Sequence, residues 1–315
     1  MATERVTLAG DAPDAAPVPG VPTPVPTGVA PAPDAEPRAS RRRVLGGPVL
    51  VRIAIAWLGL VTLLAIFADL LPLESYDRTI GKPASGPSGD FSLWLGTDGL
   101  GRSNLARVVY GARVSLAVGL ISVTIGMVSG GLLGLFAGYL RGRFEKFVNI
   151  VTDSFLAFPP LVLLLGITAT MGSSIRTLVI SLGVLSLPTF TRLARANTIA
   201  FAQREFITAS RALGARPGRI VFRELLPNVV LPVASYAFVV AAVVIVAEGS
   251  LSFLGLGLAP PTPSWGGMIS AGRDRLESDP WVVFVPAAVM FLTIFSLNVV
   301  GDRARTRFDV RESSL

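Results

Sequence analysis

Beyond residue 50 the chain is organised by long stretches without charge. Ile53 to Leu73 carries one charged residue, Asp69, near its far end, while Val114 to Leu140 and Ser154 to Ile175 carry none. Thr177 to Thr191 is a shorter run that can continue as helix past Arg192 and Arg195; Leu225 to Ala247 and Pro280 to Gly301 complete the series. About 20 apolar residues in a helix cross the ~30 Å hydrocarbon core of a bilayer. In lipid only helices and closed barrels satisfy their backbone groups. These runs are too long and too continuously apolar for the alternating strands of about 10 residues in a barrel. The pattern predicts an all-α integral membrane protein with six transmembrane helices, at about 50–73, 114–140, 150–172, 176–200, 226–250 and 280–301.

The first 45 residues are different. They are rich in Ala, Pro and acidic residues, with too little apolar surface to offset the entropy of ordering them. They read as a disordered tail, whose Pro-x-Pro pairs also suit a proline-rich ligand, ahead of a membrane domain over 46–310. The first apolar run starts only near residue 50, which is not the pattern of a cleavable signal peptide.

Composition supports a lipid-facing surface. Only 16% of residues are charged and the mean hydropathy is +0.62, against about 25% charged in a soluble domain. There is no cysteine and no histidine. That removes disulfides, thiolate ligands, the commonest general base and the commonest metal ligand. The net charge of +7 does not imply nucleic acid, because 20 of the 28 basic residues fall on one side of the predicted topology. They lie in the tail up to Arg52, the second-to-third connection, the fourth-to-fifth connection and the C-terminus. The positive-inside rule then places both termini in the cytoplasm.

The fourth-to-fifth connection, over 203–226, is the sharpest local signal. Phe206, Ala209 and Leu213 share one face at helical spacing. Gly214 suits the left-handed position just past a helix end, and Pro217 discourages continuation. A short helix with a small apolar face and an arginine rim is of the kind that docks into a groove on a partner.

In this segment the chain resembles the permease subunits of ATP-binding-cassette importers, whose cytoplasmic loop carries a Glu-Ala-Ala, then Gly, then Leu-Pro pattern. Here the small residues are Thr208-Ala209-Ser210, the glycine is Gly214 and the closing pair is Leu226-Pro227. Thr208 replaces the leading glutamate, and Glu224 stands where isoleucine or histidine is frequent. Two further stretches resemble the dipeptide/oligopeptide/nickel branch, in particular its C-type subunit. One is Gly96-Thr97-Asp98-Gly99-Leu100-Gly101-Arg102, with Ser103 in place of the usual aspartate. The other is Glu248-Gly249-Ser250-Leu251-Ser252-Phe253-Leu254-Gly255, leading to Pro263-Ser264-Trp265-Gly266. The resemblance spans about residues 50–310.

The resemblance implies a type I importer permease that imports peptides, with nickel or glutathione as alternative cargo. It implies that Glu205, Phe206, Ala209, Arg211, Leu213, Gly214 and Ala215 form a coupling helix seated on an ATPase subunit. Two such ATPases would bind ATP and Mg, leaving this chain without a cofactor. It also implies a homologous second permease and an extracytoplasmic substrate-binding protein. Thr97, Asp98, Gly101, Arg102 and Trp265 would belong to the outer gate or the seat for that binding protein; capping of the helix bundle is the other reading of those loops.

Other residues admit plainer roles. Glu248 lies about 31 Å of helix beyond Pro227, near the outer surface, and reads as a structural acid accepting backbone N–H groups of the loop that follows. Asp69, at the outer end of the first span, reads in the same way. Pro159-Pro160 should kink or break the third span. Gly126, Gly130, Gly134 and Gly138 form a stripe for close helix approach, inside this subunit or against a second permease. No Gly-x-x-x-x-Gly-Lys-Ser/Thr loop exists, since Gly81-Lys82 is followed by Pro83. An ion-coupled transporter needs central ionisable groups or repeated halves, and neither is evident. Nothing resembles a catalytic constellation or a metal site.

Overall fold

The structure is a computed structural model that describes residues 47–312, with side chains to 307. The tail predicted over 1–45 lies outside the described residues. Within them the regular structure is helical and contains no strand. Five helices are singly long and apolar enough to cross a membrane, and one bent pair makes a sixth when taken as one span.

Helix α1 runs Pro48–Ile66, and α2, Asn104–Leu140, is the longest at 37 residues. The sequence pattern placed α2 at Val114, but it begins ten residues earlier because Ser103 caps it, its hydroxyl accepting the Ala106 N–H. Arg107 and Arg113 are thereby carried on the helix. A charge-free run marks lipid depth, not helix length. Similarly, the first span ends at Ile66 rather than near 73, followed by a 3-10 turn at Ala68–Leu70.

The third span is broken where the two prolines stand. It is two helices, α3 Gly142–Ala157 and α4 Pro160–Met171, bent by 86°. Each proline disfavours helical backbone at the residue before it, so Phe158 and Pro159 are extended and Pro160 opens a new helix. Helix α5, Ile175–Ala202, starts from a Ser174 cap. The short α6, Glu205–Ala212, and the single turn α7, Pro217–Arg219, lead through π-helical Ile220–Leu225 into α8, Leu226–Phe253. Helices α9, Trp265–Gly272, and α10, Trp281–Glu312, complete the order.

The core forms where α2 meets α5, and the glycine stripe is what lets them meet. A Cβ on Gly126 would lie 2.7 Å from the Ser186 Cβ. On Gly134 it would lie 2.8 Å from the Arg195 backbone nitrogen and under 3.0 Å from the Thr191 carbonyl oxygen, and on Gly138 2.8 Å from the Arg195 oxygen. The stripe therefore packs inside this chain. Leu135, Leu178, Leu182 and Phe190 are buried in this region, with Val229, Val233 and Ile245 contributed by α8. On the outer surface, Ile53, Phe284 and Phe291 are more than half exposed, as lipid-facing side chains should be.

Helix α2 fixes the two ends of the bundle. Its Gly111 lies against Ser264 and Trp265, whereas its Gly138 lies against Thr198, near the end of α5. The loops around residues 98 and 264 thus share one end, and α6 lies at the other.

Candidate functional site

At the α6 end, the predicted short helix is present. Glu205 stands in its first turn and Arg211 in its last, the arrangement that complements the helix dipole. It closes as a Schellman motif: the Ala215 N–H reaches the Ser210 carbonyl at 3.0 Å, the Gly214 N–H reaches Arg211 at 3.0 Å, and Gly214 has φ +79°. Pro217 does not end helix in this region but opens the next turn, because a missing N–H is harmless at a first helical position.

The side chains of α6 divide sharply. Ile207 is completely buried and anchors the helix to the bundle, while Phe206 is 41% and Leu213 88% exposed; Ala209 is exposed beside them. The predicted apolar face is therefore presented outward, away from the chain's own core. Ile207 was missed by the sequence reading, although its position one residue along from Phe206 placed it off the outward face. The Arg211 guanidinium lies over the Tyr139 ring at 5.8 Å, linking α6 to the end of α2, and Arg204 lies over Phe201 at 5.4 Å. A cavity of about 640 Å³ beside α6 is lined by Phe201, Gln203, Arg204, Glu205, Phe206 and Asn228. On the same end Arg195 pairs with Glu145, and Arg192 with Asp153 at 2.7 Å, tying α3 to α5.

At the opposite end, the loop before α2 is knotted from within. Asp98 Oδ1 accepts the N–H groups of Leu100 and Arg102, both at 2.9 Å, and its Oδ2 meets the Arg102 Nε at 2.7 Å. Thr97 donates to the Lys82 carbonyl at 2.6 Å and accepts the Ser85 N–H at 2.8 Å. Gly101 has φ +76° and packs on the Gly81 carbonyl with no room for a side chain. Thr97, Asp98 and Arg102 are all buried, so their side chains hold the loop's shape rather than form its surface. Trp265, placed by the resemblance in the outer gate or the seat for a binding protein, is fully buried and donates to the Val108 carbonyl at 3.1 Å. Beside them, the Arg113 guanidinium bonded to Asp69 at 2.9 Å holds that carboxyl below the usual range and ties the end of α1 to α2.

Glu248 requires a second correction. It is 1% exposed, and its Oε1 accepts the hydroxyls of Ser252 at 2.9 Å and Ser264 at 2.8 Å. It still holds the following loop, but through side chains rather than backbone N–H groups. Its burial arises because α9 packs over it, with Gly266 pressed against Gly249. Among the described residues no cluster of three or more Asp, Glu, His or Cys side chains could hold a metal ion.

A family model described as "Binding-protein-dependent transport system inner membrane component" matches residues 130–313, more than half of the chain, and the chain belongs to this family. It is a permease component of an ATP-driven importer, with ATP hydrolysis on separate ATPase subunits. Among similar proteins, a dipeptide transport system permease of Alkalihalophilus pseudofirmus is 38% identical over 269 residues, 84% of this chain and 87% of that protein. A glutathione transport system permease of Pectobacterium atrosepticum is 35% identical over 278 residues, covering 87% and 90%. A di/tripeptide transport system permease of Pseudomonas aeruginosa is 37% identical over 255 residues, covering 79% and 84%. An inward-facing methionine ABC transporter has the same fold, with a TM-score of 0.53 at 20% identity, covering 65% of this chain and 97% of that one.

Proposed function

We propose that this chain is one of two homologous permease subunits of a bacterial peptide importer, with α6 as the helix that couples it to an ATPase. The observation that carries this reading is the division of α6 into a buried anchor, Ile207, and outward Phe206, Ala209 and Leu213. An apolar side chain 88% exposed beside arginines gains by entering a partner's groove. Glu205, Arg211, Gly214 and Ala215 shape and cap that helix. Two ATPase subunits, holding ATP and Mg, would sit at this end in the cytoplasm together with both termini. A substrate-binding protein would dock at the opposite end, where the knotted 97–102 loop and the loop over Trp265 give a firm floor.

Movement of α6 has two routes into the bundle. One is the chain itself, through α7 and the π-helical segment into α8; the other is the Arg211–Tyr139 contact into α2. Because α2 and α5 are locked by the glycine stripe, they move as a unit when the ATPases close and reopen. Small peptides are the cargo that the similar dipeptide and di/tripeptide permeases favour. Glutathione, itself a small peptide, is the second reading, favoured by the similar glutathione permease. Nickel is disfavoured by the absence of histidine and cysteine.

Co-purification of the tagged chain in mild detergent tests the coupling assignment, using Ala209→Glu and Leu213→Glu on the exposed face. Wild type should bring down the ATPases and a second permease, and both variants should lose the ATPases selectively. Retention of every partner with full ATPase coupling would overturn the assignment. Peptide-stimulated uptake by the whole complex in proteoliposomes tests the cargo.

A further inference from the structure

The broken third span leaves backbone carbonyls without donors. In a continuous helix the Phe155 and Leu156 carbonyls would accept the N–H groups of residues 159 and 160, but both of these are prolines and have none. Among the described residues no N–H outside α3 reaches the carbonyls of Phe155, Leu156, Ala157 or Phe158. The chain does not cover this corner, since Phe158 is 58% exposed and Pro159 and Pro160 are exposed beside it.

The corner lies at membrane depth. Leu156 and Pro160 line a cavity of about 330 Å³ whose other walls are α5, from Leu182 to Thr189, and α8, from Tyr236 to Ala247. Val239 and Val240, at the centre of α8, belong to that lining. Lipid offers a carbonyl no donor, and irregular backbone at this depth occurs only where protein covers it or where it borders water. The spans of a second permease would not supply the donors, because a helix uses its N–H groups internally. Water is the donor that remains.

The neighbouring side chains need water as well. Thr189 and Tyr236, both half-buried, line the cavity, and their hydroxyls make no hydrogen bond among the described residues. The Arg305 guanidinium lies over the Tyr236 ring at 5.0 Å, bringing a charge to the edge of the same cavity. Asp153 and Arg192 stand one helical turn from Leu156 and Thr189, on the same helix faces. They pair at 2.7 Å with both side chains more than half exposed, and an exposed ion pair is unfavourable against acyl chains.

We propose that the α3–α4 corner, with Thr189 of α5 and Tyr236 of α8, is the wall of a water-filled passage along which the peptide crosses, open towards the α6 end past Asp153 and Arg192. The inference rests on the peptide-importer reading and adds to it the surface that this chain turns to its cargo. Free carbonyls and hydroxyls accept the N–H groups that every peptide backbone carries, so the wall suits small peptides whatever their side chains.

The chain has no cysteine, so a single-cysteine variant reports on one position. The test uses the complete importer in lipid nanodiscs, with and without a non-hydrolysable ATP analogue, treated with a charged, membrane-impermeant methanethiosulfonate. In at least one of the two states Thr189→Cys and Phe158→Cys should react at least about tenfold faster than Phe291→Cys on the lipid-facing surface, because the reacting thiolate is disfavoured in apolar surroundings. The same variants, modified in mild detergent and then reconstituted with binding protein into proteoliposomes, report dialanine uptake. Modified Thr189→Cys should lose uptake, whereas Thr7→Cys, modified as a control, should keep it. Reaction at neither position in either state would put the corner against lipid or the second permease and overturn the proposal. Full uptake by modified Thr189→Cys would also overturn it. If Thr189→Cys fails to assemble, Phe158→Cys, at an already exposed position, carries both readouts. Uptake by the unmodified variants without labelling leaves the importer reading standing, whereas failure of the cysteine-free wild type to take up any peptide defeats that reading itself.

Discussion

Gly134 is a crowded position in the contact between α2 and α5, and Gly131, on the same helix, provides an internal control. A methyl group on Gly134 would meet the Thr191 carbonyl, the Arg195 nitrogen at 2.8 Å and the Ala194 Cβ at 2.9 Å. Two of these belong to the α5 backbone, so no rotamer change relieves them and the helices must separate. Overpacking of this kind costs about 1–3 kcal/mol, offset by up to about 1 kcal/mol from the better helix propensity of alanine. A Cβ on Gly131, three residues away on the same helix, meets nothing within 4 Å, so only the favourable term remains there. Gly134→Ala should therefore lower the thermal unfolding midpoint of the detergent-purified protein by several degrees, at about 2–4 °C per kcal/mol for a domain of this size. Gly131→Ala should leave the midpoint unchanged or raise it. Tryptophan fluorescence with size-exclusion chromatography before heating is a sufficient assay. Equal shifts for the two variants would refute the claim that the stripe is an internal contact with α5.

Two further outcomes follow from burial. Ile207→Ala should destabilise the protein by about 2–5 kcal/mol, whereas Leu213→Ala should leave the unfolding midpoint unchanged and weaken only the association with ATPase subunits; comparable midpoint losses would place both residues in the core. Glu248→Gln keeps an oxygen for Ser252 and Ser264 and should unfold close to wild type, while Glu248→Ala should cost about 1–3 kcal/mol for each hydroxyl left unpaired. A glutamine variant as unstable as the alanine one would mean that charge, not hydrogen bonding, is what the site uses.

Much of the architecture was legible because lipid imposes a one-dimensional rule. A segment that crosses must be long, apolar and helical, and such segments stand out in any single sequence. The closure at Gly214 was equally visible, since a left-handed residue just past a helix end is a local backbone requirement that glycine meets. The interruption at Pro159-Pro160 was foreseen as a kink or a break, but its 86° bend was not, because two prolines limit the backbone at three residues without choosing the direction of the next helix. The early start of α2 was missed because its cap lies in a stretch whose arginines are paid for by the loop folded around them.

The sequence by itself determined the helical class, the apolar spans, the short helix closed at Gly214 and the absence of any histidine or cysteine chemistry. Those are properties of local runs and of composition. Only the tertiary structure decided that the glycine stripe faces α5, that Ile207 rather than Phe206 anchors α6, and that Trp265 and Glu248 are buried. It also brought Asp98, Arg102, Asn104 and Arg107 around one cavity with Arg275, more than 160 residues further along the chain. The reason is the same in each case: periodicity shows which residues share a face, but the partner that covers the face comes from a distant part of the chain.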